Sequence, residues 1–476
     1  MSLRLVSTIA ALAIAAALPA AASEVDTVNG VIPAPMTLSD AVSYALDHSP
    51  SVAQRRAALA VADDNLAKAR GNALPNVVGQ LQNTSQKSAN YGGAYSIIGS
   101  KVAQVFSQNT AQIGSNYTLQ TGGLAFLALA ASRAQDAQAR EDLEGAERQL
   151  ALSVTTAYFT VVQRDSIVAL DESDLHYQEL LVKVAQAKES AGVAAGVDVL
   201  RAEVARAKSA STLTGARADV ANATESLAQS AGAPLDARFT FPVQIASPGL
   251  PSAPETSLEG AAIGSRAEVR SAKYALDAAR LTRKGFDRQL FPQVQIGAAL
   301  GNQLTPTSVN FLLKPDGTPV IGPGGQPVIA PRVGSPGFWT LSATSTFQLP
   351  LVDYGVRHAE RASDDAAVAS AQNALEAAST QVRADVRQSY RAAQTALAQL
   401  SFARDEAKLG AESARVAELQ YQHGIIALSD VLQTQQQAVT AQTDFVNARV
   451  AYVDAIVKLR VSLGTYDARS AVADLR

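Results

Sequence analysis

The stretch Tyr421-Gln-His-Gly-Ile-Ile-Ala-Leu-Ser-Asp-Val-Leu432 has a counterpart in the first half of the chain, Glu189-Ser-Ala-Gly-Val-Ala-Ala-Gly-Val-Asp-Val-Leu200. Both stretches carry a glycine at the fourth position and end in Asp-Val-Leu. Glycine readily takes the left-handed conformation that ends a helix, and an acid is favoured in the first turn of the following helix. Each stretch therefore predicts a tight turn between two helices.

The offset in residue number that relates the two stretches also holds on both sides of them. It relates Gly123 to Gly355 before the turn and Gly232 to Gly464 after it. The chain is therefore a tandem duplication, in which each copy is one structural unit. A repeat unit this long suits a duplicated half-protein better than a solenoid of short repeats.

The residues before each turn predict very long helices. Proline is absent from Asn76 to Ala233 and from Leu351 to the C-terminus. The segment Leu124–Ala191 contains Gly145 as its only glycine, and the related segment Val356–His423 contains only Gly410. At about 1.5 Å per residue, each helix would be about 100 Å long.

Files of residues at seven-residue spacing run along both predicted helices. They comprise Val154, Val161, Val168, Leu175 and Val182 in the first copy, and Val386, Ala393, Leu400, Ala407, Ala414 and Tyr421 in the second. This spacing is typical of coiled coils, and the many alanines allow a close approach of neighbouring helices. We expect two antiparallel helical hairpins with their turns far from the rest of the molecule.

Away from the turns, the pattern alternates with a period of two. The alternating files are Ile113, Ser115, Tyr117 and Leu119; Val294, Ile296, Ala298 and Leu300; Trp339, Leu341, Ala343, Ser345 and Phe347; and a weaker file that starts at Val77. They predict four strands of about 9 to 11 residues, the length that crosses a bilayer at a tilt. A soluble sheet with one wet face would alternate in the same way.

A membrane location would constrain the assembly. Four strands in an open sheet leave unpaired backbone groups at both edges, which lipid does not tolerate. Closed membrane barrels begin at about eight strands. In a membrane, the barrel would therefore have to be shared between chains.

The N-terminus and the composition narrow the class of protein. Arg4, the apolar run Leu5–Leu18 and Ala20-Ala21-Ala22 predict a secretory signal peptide at residues 1–22. The net charge of −3 gives no indication of a nucleic-acid surface. The chain has no cysteine, its four histidines are scattered, and no catalytic, cofactor or metal-ligand motif is present. We expect neither an enzyme nor a cofactor or metal site.

The full division of the chain follows from the repeat. We predict a signal peptide (1–22), an N-terminal extension (23–36), a first repeat (37–233, with strands at about 77–121), a proline-rich linker (234–256), a second repeat (257–465, with strands at about 293–350) and a C-terminal tail (466–476). The loop between the last two strands, residues 302–336, is longer than its counterpart in the first repeat and rich in proline and glycine. We interpret it as an extracellular loop.

The chain resembles the TolC-like outer-membrane efflux proteins, or outer membrane factors, over nearly all of its mature length. The motifs are Leu38-Ser-Asp-Ala41, Ser49-Pro-Ser-Val52, Leu74-Pro75, Arg266-Ala-Glu-Val269, Leu290-Phe-Pro292, Leu349-Pro-Leu-Val-Asp-Tyr-Gly355, Tyr421-Gln-His-Gly424 and Asp430-Val-Leu432. Each motif is weak alone, but their order, duplication and spacing are specific.

The resemblance implies a mainly α-helical homotrimer in the bacterial outer membrane. Twelve strands would form one membrane β-barrel, and twelve helices would form one α-helical tunnel in the periplasm. It implies a passive exit duct for efflux or type I secretion, docked onto a periplasmic adaptor protein and an inner-membrane transporter of the RND, ABC or MFS type. Outer-membrane lipid would surround the barrel, and the cargo remains open.

The resemblance also implies site residues at the turns. Asp198, Tyr421, Asp430 and Gln433 fall at the pore entrance, or gate, and the turns themselves fall where the adaptor docks: Gly192, Gly196, Gly424, Ile425 and Ile426. Two positions depart from the family pattern and would weaken the polar links that keep the entrance shut. Ile426 stands where some members have a basic residue, and Gln433 stands where some have an acid. For Asp198 and Asp430 the alternative is helix capping alone, and Tyr421 could simply close its heptad file.

A second reading belongs to another class. A surface-exposed structural or adhesive coiled-coil protein without channel activity would also carry long heptad helices. The four alternating strands argue against it, because a fibre needs no segments of bilayer length.

Overall fold

The structure is a computed structural model, which describes residues 36–89, 103–120, 122–241, 249–304, 318, 320–327, 338–347 and 352–466. The elements of the first half are α1 (Leu38–His48), α2 (Pro50–Asn72), β1 (Asn76–Ala89), β2 (Ala103–Gln120), α3 (Leu124–Ser190) and α4 (Gly196–Ala231). Those of the second half are α5 (Glu255–Ser265), α6 (Ala267–Arg288), β3 (Gln293–Leu304), β4 (Phe338–Thr346), α7 (Val356–Gln422) and α8 (Leu428–Ser462). The predicted signal peptide, nearly all of the N-terminal extension and C-terminal tail, and most of the 302–336 loop lie outside the described residues.

The element bounds repeat with two offsets in residue number. One offset relates the starts of α1 and α2 to those of α5 and α6, and a second, larger one relates the starts of α3 and α4 to those of α7 and α8. The two long helices have the same length, 67 residues each. The offset changes between the strands of each half, where the second connection is longer.

Local chemistry accounts for where the helices begin and end. Thr37 caps α1 with a capping box, in which its side chain and that of Asp40 each accept from the other residue's backbone N–H. Pro50 opens α2, where its missing N–H costs nothing. α3 and α7 both follow a glycine with positive φ, Gly123 and Gly355.

The apolar core lies near the middle of the long helices. α1 packs its buried face on α3 and α4, around Val154, Tyr158 and Leu227. A second cluster joins α5 to α7 and α8 around Val386 and Ile456. The heptad files are therefore buried mainly where the short helices cover them.

The four strands form one antiparallel sheet in the order β1-β2-β3-β4. The register pairs Trp339 with Leu300, and Leu300 in turn with Ile113. Because paired residues point to the same side, the alternating files predicted from the sequence share one face, and most of its large residues, including Ile113, Leu300 and Trp339, are exposed. The predicted strands are confirmed.

The strand lengths differ from the prediction in three of the four cases. β4 has 9 residues, as the bilayer-length pattern predicts, whereas β1, β2 and β3 have 14, 18 and 12. Pairing of β1 with β2 runs on to Ala89 opposite Ala103. In the part of β1 and β2 beyond the predicted strands, Gln, Asn, Thr and Ser are frequent, so the sequence shows no alternation of apolar and polar residues there. The strands still pair, because the hydrogen bonds between them are made by the backbone. Among the described residues, β1 pairs only with β2 and β4 only with β3.

Candidate functional site at the hairpin turns

The two turns have the same backbone. Gly192 and Gly424 both have φ +72°. In the first turn the N–H groups of Gly192 and Val193 donate to the carbonyls of Glu189 and Lys188. In the second turn Gly424 and Ile425 donate in the same way to Tyr421 and Gln420. These are Schellman endings, which only glycine enters without strain, and the turns predicted from the sequence are confirmed.

The two acids lie in the first turn of the returning helices. Asp198 and Asp430 are each the third residue after the N-cap, which is Ala195 or Ala427. Neither N-cap has a side-chain hydrogen bond, so neither acid is the capping residue itself. Their charge still complements the positive end of the helix dipole.

Their surroundings differ. The Asp198 carboxylate is half-buried and accepts from Arg201 Nη1 at 3.3 Å. Asp430 is exposed, and Ser429 Oγ approaches its Oδ1 at only 3.4 Å. Gln433, one turn further along α8, is exposed as well. Asp430 and Gln433 therefore present their polar groups to solvent, whereas Asp198 faces inward.

Tyr421 is the buried residue of the site, with 5% of its surface exposed. It packs with Leu181 and Ala185 of α3, and with Leu428 and Val431 of α8. Its hydroxyl makes no hydrogen bond to the described part of the chain. Burial raises the pKa of Tyr421, and the nearby Asp198 charge raises it further. The structure thus brings together two predicted site residues from different halves.

Lys188 joins the two hairpins at this point. Its Nζ donates to the Tyr421 carbonyl oxygen at 2.6 Å and lies 3.7 Å from the centre of the Tyr421 ring. One ammonium thus makes a charge-assisted hydrogen bond and a cation–π contact. Lys188 was not among the residues predicted from the sequence. Its signal was a break in the repeat, since Gln420 stands at the related position of the second copy.

Some of the remaining turn residues are exposed to solvent, and others pack against neighbouring side chains. Val193 and Ile425 are exposed at the ends of the hairpins, whereas Ile426 packs against the Tyr421 cluster. Gly196 is the first residue of α4, and a Cβ on it would lie 2.8 Å from Glu189 Oε1. A side chain at Gly196 would thus displace the Glu189 carboxylate.

Polar pairs continue from the turns along the contact between α3 and α8. Thr156 donates to Asp454 at 2.8 Å. One heptad further along, Gln163 donates to Asn447 at 2.7 Å. Nearer the turns, Gln435 approaches Asp174 at 3.4 Å. With Lys188 and Tyr421, these pairs fix the register between the two hairpins.

One carboxylate beside this contact is buried. Asp171 is 6% exposed, and its Oδ2 has no partner within the described chain. Burial raises the pKa of Asp171 above its usual range, and the charge of Asp174 adds to the effect. Deprotonated Asp171 therefore destabilises the folded chain.

None of the described helices is both long and apolar enough to cross a membrane. Within the same residues, no group of three or more His, Asp or Glu side chains could hold a metal ion.

Comparisons with known proteins cover most of the chain. The sequence profile of the outer membrane efflux protein family matches residues 41–233 and 258–465. No curated protein sequence matches the chain.

Several solved structures share the fold. VceC, an outer membrane protein of Vibrio cholerae, aligns with a TM-score of 0.72 at 18% identity, over 90% of this chain and 96% of its own. The Campylobacter jejuni outer membrane channel CmeC gives 0.72 at 14% identity, over 92% and 88%. The open state of the Neisseria gonorrhoeae outer membrane channel MtrE gives 0.69 at 18% identity, over 90% and 91%.

Proposed function

The chain belongs to the outer membrane efflux protein family, and from that membership we propose that it is the exit duct of a tripartite efflux or type I secretion system. Members of this family are channel proteins of the outer membrane, not enzymes. The duct would conduct passively, and its energy would come from an inner-membrane transporter of the RND, ABC or MFS type. The cargo is a drug, a metal ion or a protein.

One observation carries the proposal: the long hairpins and an open sheet with an exposed apolar face belong to the same chain. The edges of β1 and β4 need partners before the sheet can stand in lipid. Three chains would supply twelve strands, enough for a closed barrel. The helices of about 100 Å would then form a tunnel that reaches far into the periplasm.

The turns are the natural contact with a periplasmic adaptor. Val193 and Ile425 are exposed apolar residues at the ends of the hairpins, and the glycine turns hold them in a fixed backbone. Lys188 ties the hairpins together beside them through Tyr421, and these two residues with Asp198 would hold the entrance closed. Exposed Asp430 and Gln433 would line the mouth.

Conductance is the direct test. Purified protein in planar bilayers should form channels, and deletion of the gene should raise accumulation of a fluorescent efflux substrate in cells. A protein that stays at the surface, forms no channels and leaves accumulation unchanged would instead be a structural or adhesive coiled coil. Co-purification after cross-linking in cells would identify the adaptor and the transporter.

A further inference from the structure

Several polar side chains are buried together where the first hairpin meets the second. Asp171, Asp174 and Gln178 are spaced i, i+3 and i+7 on α3, so they lie on one face of that helix. Asp171 and Gln178 are each 6% exposed. Gln178 Nε2 donates to Asp174 Oδ1 at 3.2 Å, and Gln435 Nε2 of α8 approaches the same oxygen at 3.4 Å. Asp174 therefore contacts both hairpins.

Ser209 of α4 belongs to the same group. α3 and α4 are antiparallel, and Arg217 of α4 donates to Glu172 of α3 at 2.8 Å. Ser209 lies about two helical turns nearer the end of the hairpin, which places it beside Gln178, and it is 7% exposed. We call Asp171, Asp174, Gln178, Ser209 and Gln435 the polar cluster.

The polar cluster is short of hydrogen-bond donors. Asp171 Oδ2, Gln178 Oε1 and Ser209 Oγ each lack a partner in the described chain. A carboxylate oxygen and an amide oxygen can only accept, and the amides of Gln178 and Gln435 both donate towards Asp174. Because an unpaired buried acceptor costs free energy, the cluster favours the binding of an additional proton.

The neighbouring helices bring no cation into an ion pair with Asp171 or Asp174 within the described residues. On α4, Arg217 pairs with Glu172, and Asp219 pairs with Arg164. α8 carries no charged residue at all from position 431 to position 443. The charge of the two carboxylates is therefore not compensated by a basic side chain.

The other titratable groups of this region do not change that balance. Burial raises the pKa of Tyr177 to about 12, and the charges of Glu418 on α7 and of Asp174 add to the effect. Lys208, next to Ser209 on α4, is exposed to solvent. Asp171 and Asp174 therefore repel each other when both are ionised.

We propose that Asp171 and Asp174 share one proton, and that this proton latches the first hairpin to the second. With the proton on Asp171, its hydroxyl donates to Asp174, which stays in place to accept from Gln435. When the proton leaves to solvent, the two carboxylates repel each other and the contact with α8 loosens. The consequence for transport rests on the proposed function: the wall of the duct would be tighter in acid than at neutral pH.

The direction of this pH dependence follows from burial. Burial raises the pKa of Asp171, and the charge of Asp174 raises it further. The latch is therefore complete below the usual aspartate pKa and is lost as pH rises through the raised value. The second hairpin has Ala403 and Glu406 at the related positions, so it has no such acid pair.

Thiol labelling tests the latch without requiring a channel. The chain has no cysteine, and Ser209→Cys places one thiol of similar size in the polar cluster. The rate of its reaction with a methanethiosulfonate reagent is divided by the rate for the urea-unfolded protein at the same pH. We expect this ratio to rise about tenfold between about pH 5 and pH 7.5, the factor that corresponds to one unit of pKa shift. With Asp171→Asn, whose amide donates at every pH, the ratio should stay low.

The second hairpin supplies the matched control. Ala441 stands where the first hairpin has Ser209, and it is 5% exposed. The labelling ratio of Ala441→Cys should not change with pH. A flat ratio for Ser209→Cys, or an equal rise for Ala441→Cys, would overturn the latch.

Infrared spectra of the protein without cysteine substitutions provide a second measurement. At about pH 5, where an ordinary aspartate is ionised, the difference between wild type and Asp171→Asn should contain the carbonyl band of a protonated carboxylic acid. The band should disappear as the pH rises. If it is absent at this pH, Asp171 and Asp174 do not share a proton.

Conductance in planar bilayers separates this inference from the proposed function. In a working duct, the resting conductance should rise with pH in wild type and stay constant in Asp171→Asn. A pH-dependent labelling ratio in a protein that forms no channel would support the latch and contradict the exit duct. Channels from a protein whose labelling ratio is flat would support the duct and contradict the latch.

Discussion

The two helical hairpins share a backbone and differ in what they bury along it. The first hairpin buries Asp171, Gln178 and Ser209, and each has one polar atom without a partner in the described chain. The second has Ala403, Gly410 and Ala441 at the related positions. A Cβ on Gly410 would lie 3.3 Å from the Ala438 Cα and 3.6 Å from the Ala441 Cβ.

This difference separates two kinds of information in the sequence. The glycines of the turns and the heptad files specify the hairpin itself, so both copies form it. The residues at these buried positions determine how tightly the two helices of each hairpin pack. Small residues allow close helix contact in the second hairpin, whereas buried polar groups destabilise the first. The first hairpin should therefore be the one that loosens more easily.

The largest effect is expected where packing is tightest. Gly410→Leu forces a branched side chain against the α8 backbone, and overpacking of this kind lowers the free energy of unfolding by about 1–3 kcal/mol. Thermal unfolding of the purified protein in detergent measures it. The matched substitution Gln178→Leu replaces a buried amide and should change stability by less than about 1 kcal/mol. Equal losses in the two variants would remove the distinction between the hairpins.

Next comes the link between the hairpins. Lys188→Met removes the hydrogen bond to the Tyr421 carbonyl and the contact with its ring. Together these contribute about 1–3 kcal/mol. We expect a higher resting conductance in planar bilayers, with the trimer retained. Gln420→Met, at the related position of the other hairpin, is the control. Unchanged conductance in Lys188→Met would show that Lys188 does not hold the entrance.

A smaller effect depends on pH. Because the pKa of Asp171 is raised in the folded state, the folded chain binds the proton of this carboxyl group more tightly than the unfolded chain does. Stability is therefore greatest below the usual aspartate pKa and falls as pH rises through the raised value. Asp171→Asn should abolish this part of the pH dependence and be more stable than wild type at neutral pH. Glu179→Gln, which is exposed on the same helix, should leave the curve unchanged. A wild-type curve that rises over this range would contradict the assignment.

The smallest effect concerns ion selectivity. In the proposed duct, the exposed Asp430 would attract cations to the mouth, so Asp430→Ala should shift the reversal potential in a salt gradient towards lower cation selectivity. Asp198 is half-buried and paired with Arg201, so Asp198→Ala should raise conductance more than it alters selectivity. If neither variant changes selectivity or conductance, the two acids serve only the helix dipoles.

Much of the backbone could be predicted from the sequence, because it depends on patterns within one element. The predicted helix from Leu124 ends within a residue of its observed end at Ser190, since a glycine with positive φ ends it. The alternating files of the strands share one face as expected. The strand ends were missed, because ladder hydrogen bonds continue beyond the apolar pattern.

The site was less predictable, because it forms between elements. Turn geometry and the first-turn positions of Asp198 and Asp430 follow from local sequence. The meeting of Lys188 with Tyr421 depends on the register of two helices from different halves, which no local pattern fixes. Asp171 looks like a surface residue in the sequence, and only the packing of α3 buries it.

The sheet imposes an order on biogenesis. Each hairpin closes through contacts between neighbouring helices, whereas β2 finds β3 only after the whole first hairpin and the linker have been made. Contacts so distant in sequence form slowly. The hairpins can thus fold while the strands are still separate, and within the described chain β1 and β4 keep open edges. An exposed edge can pair with the wrong strand, so the strands are the part of this protein with the highest risk of misassembly during biogenesis.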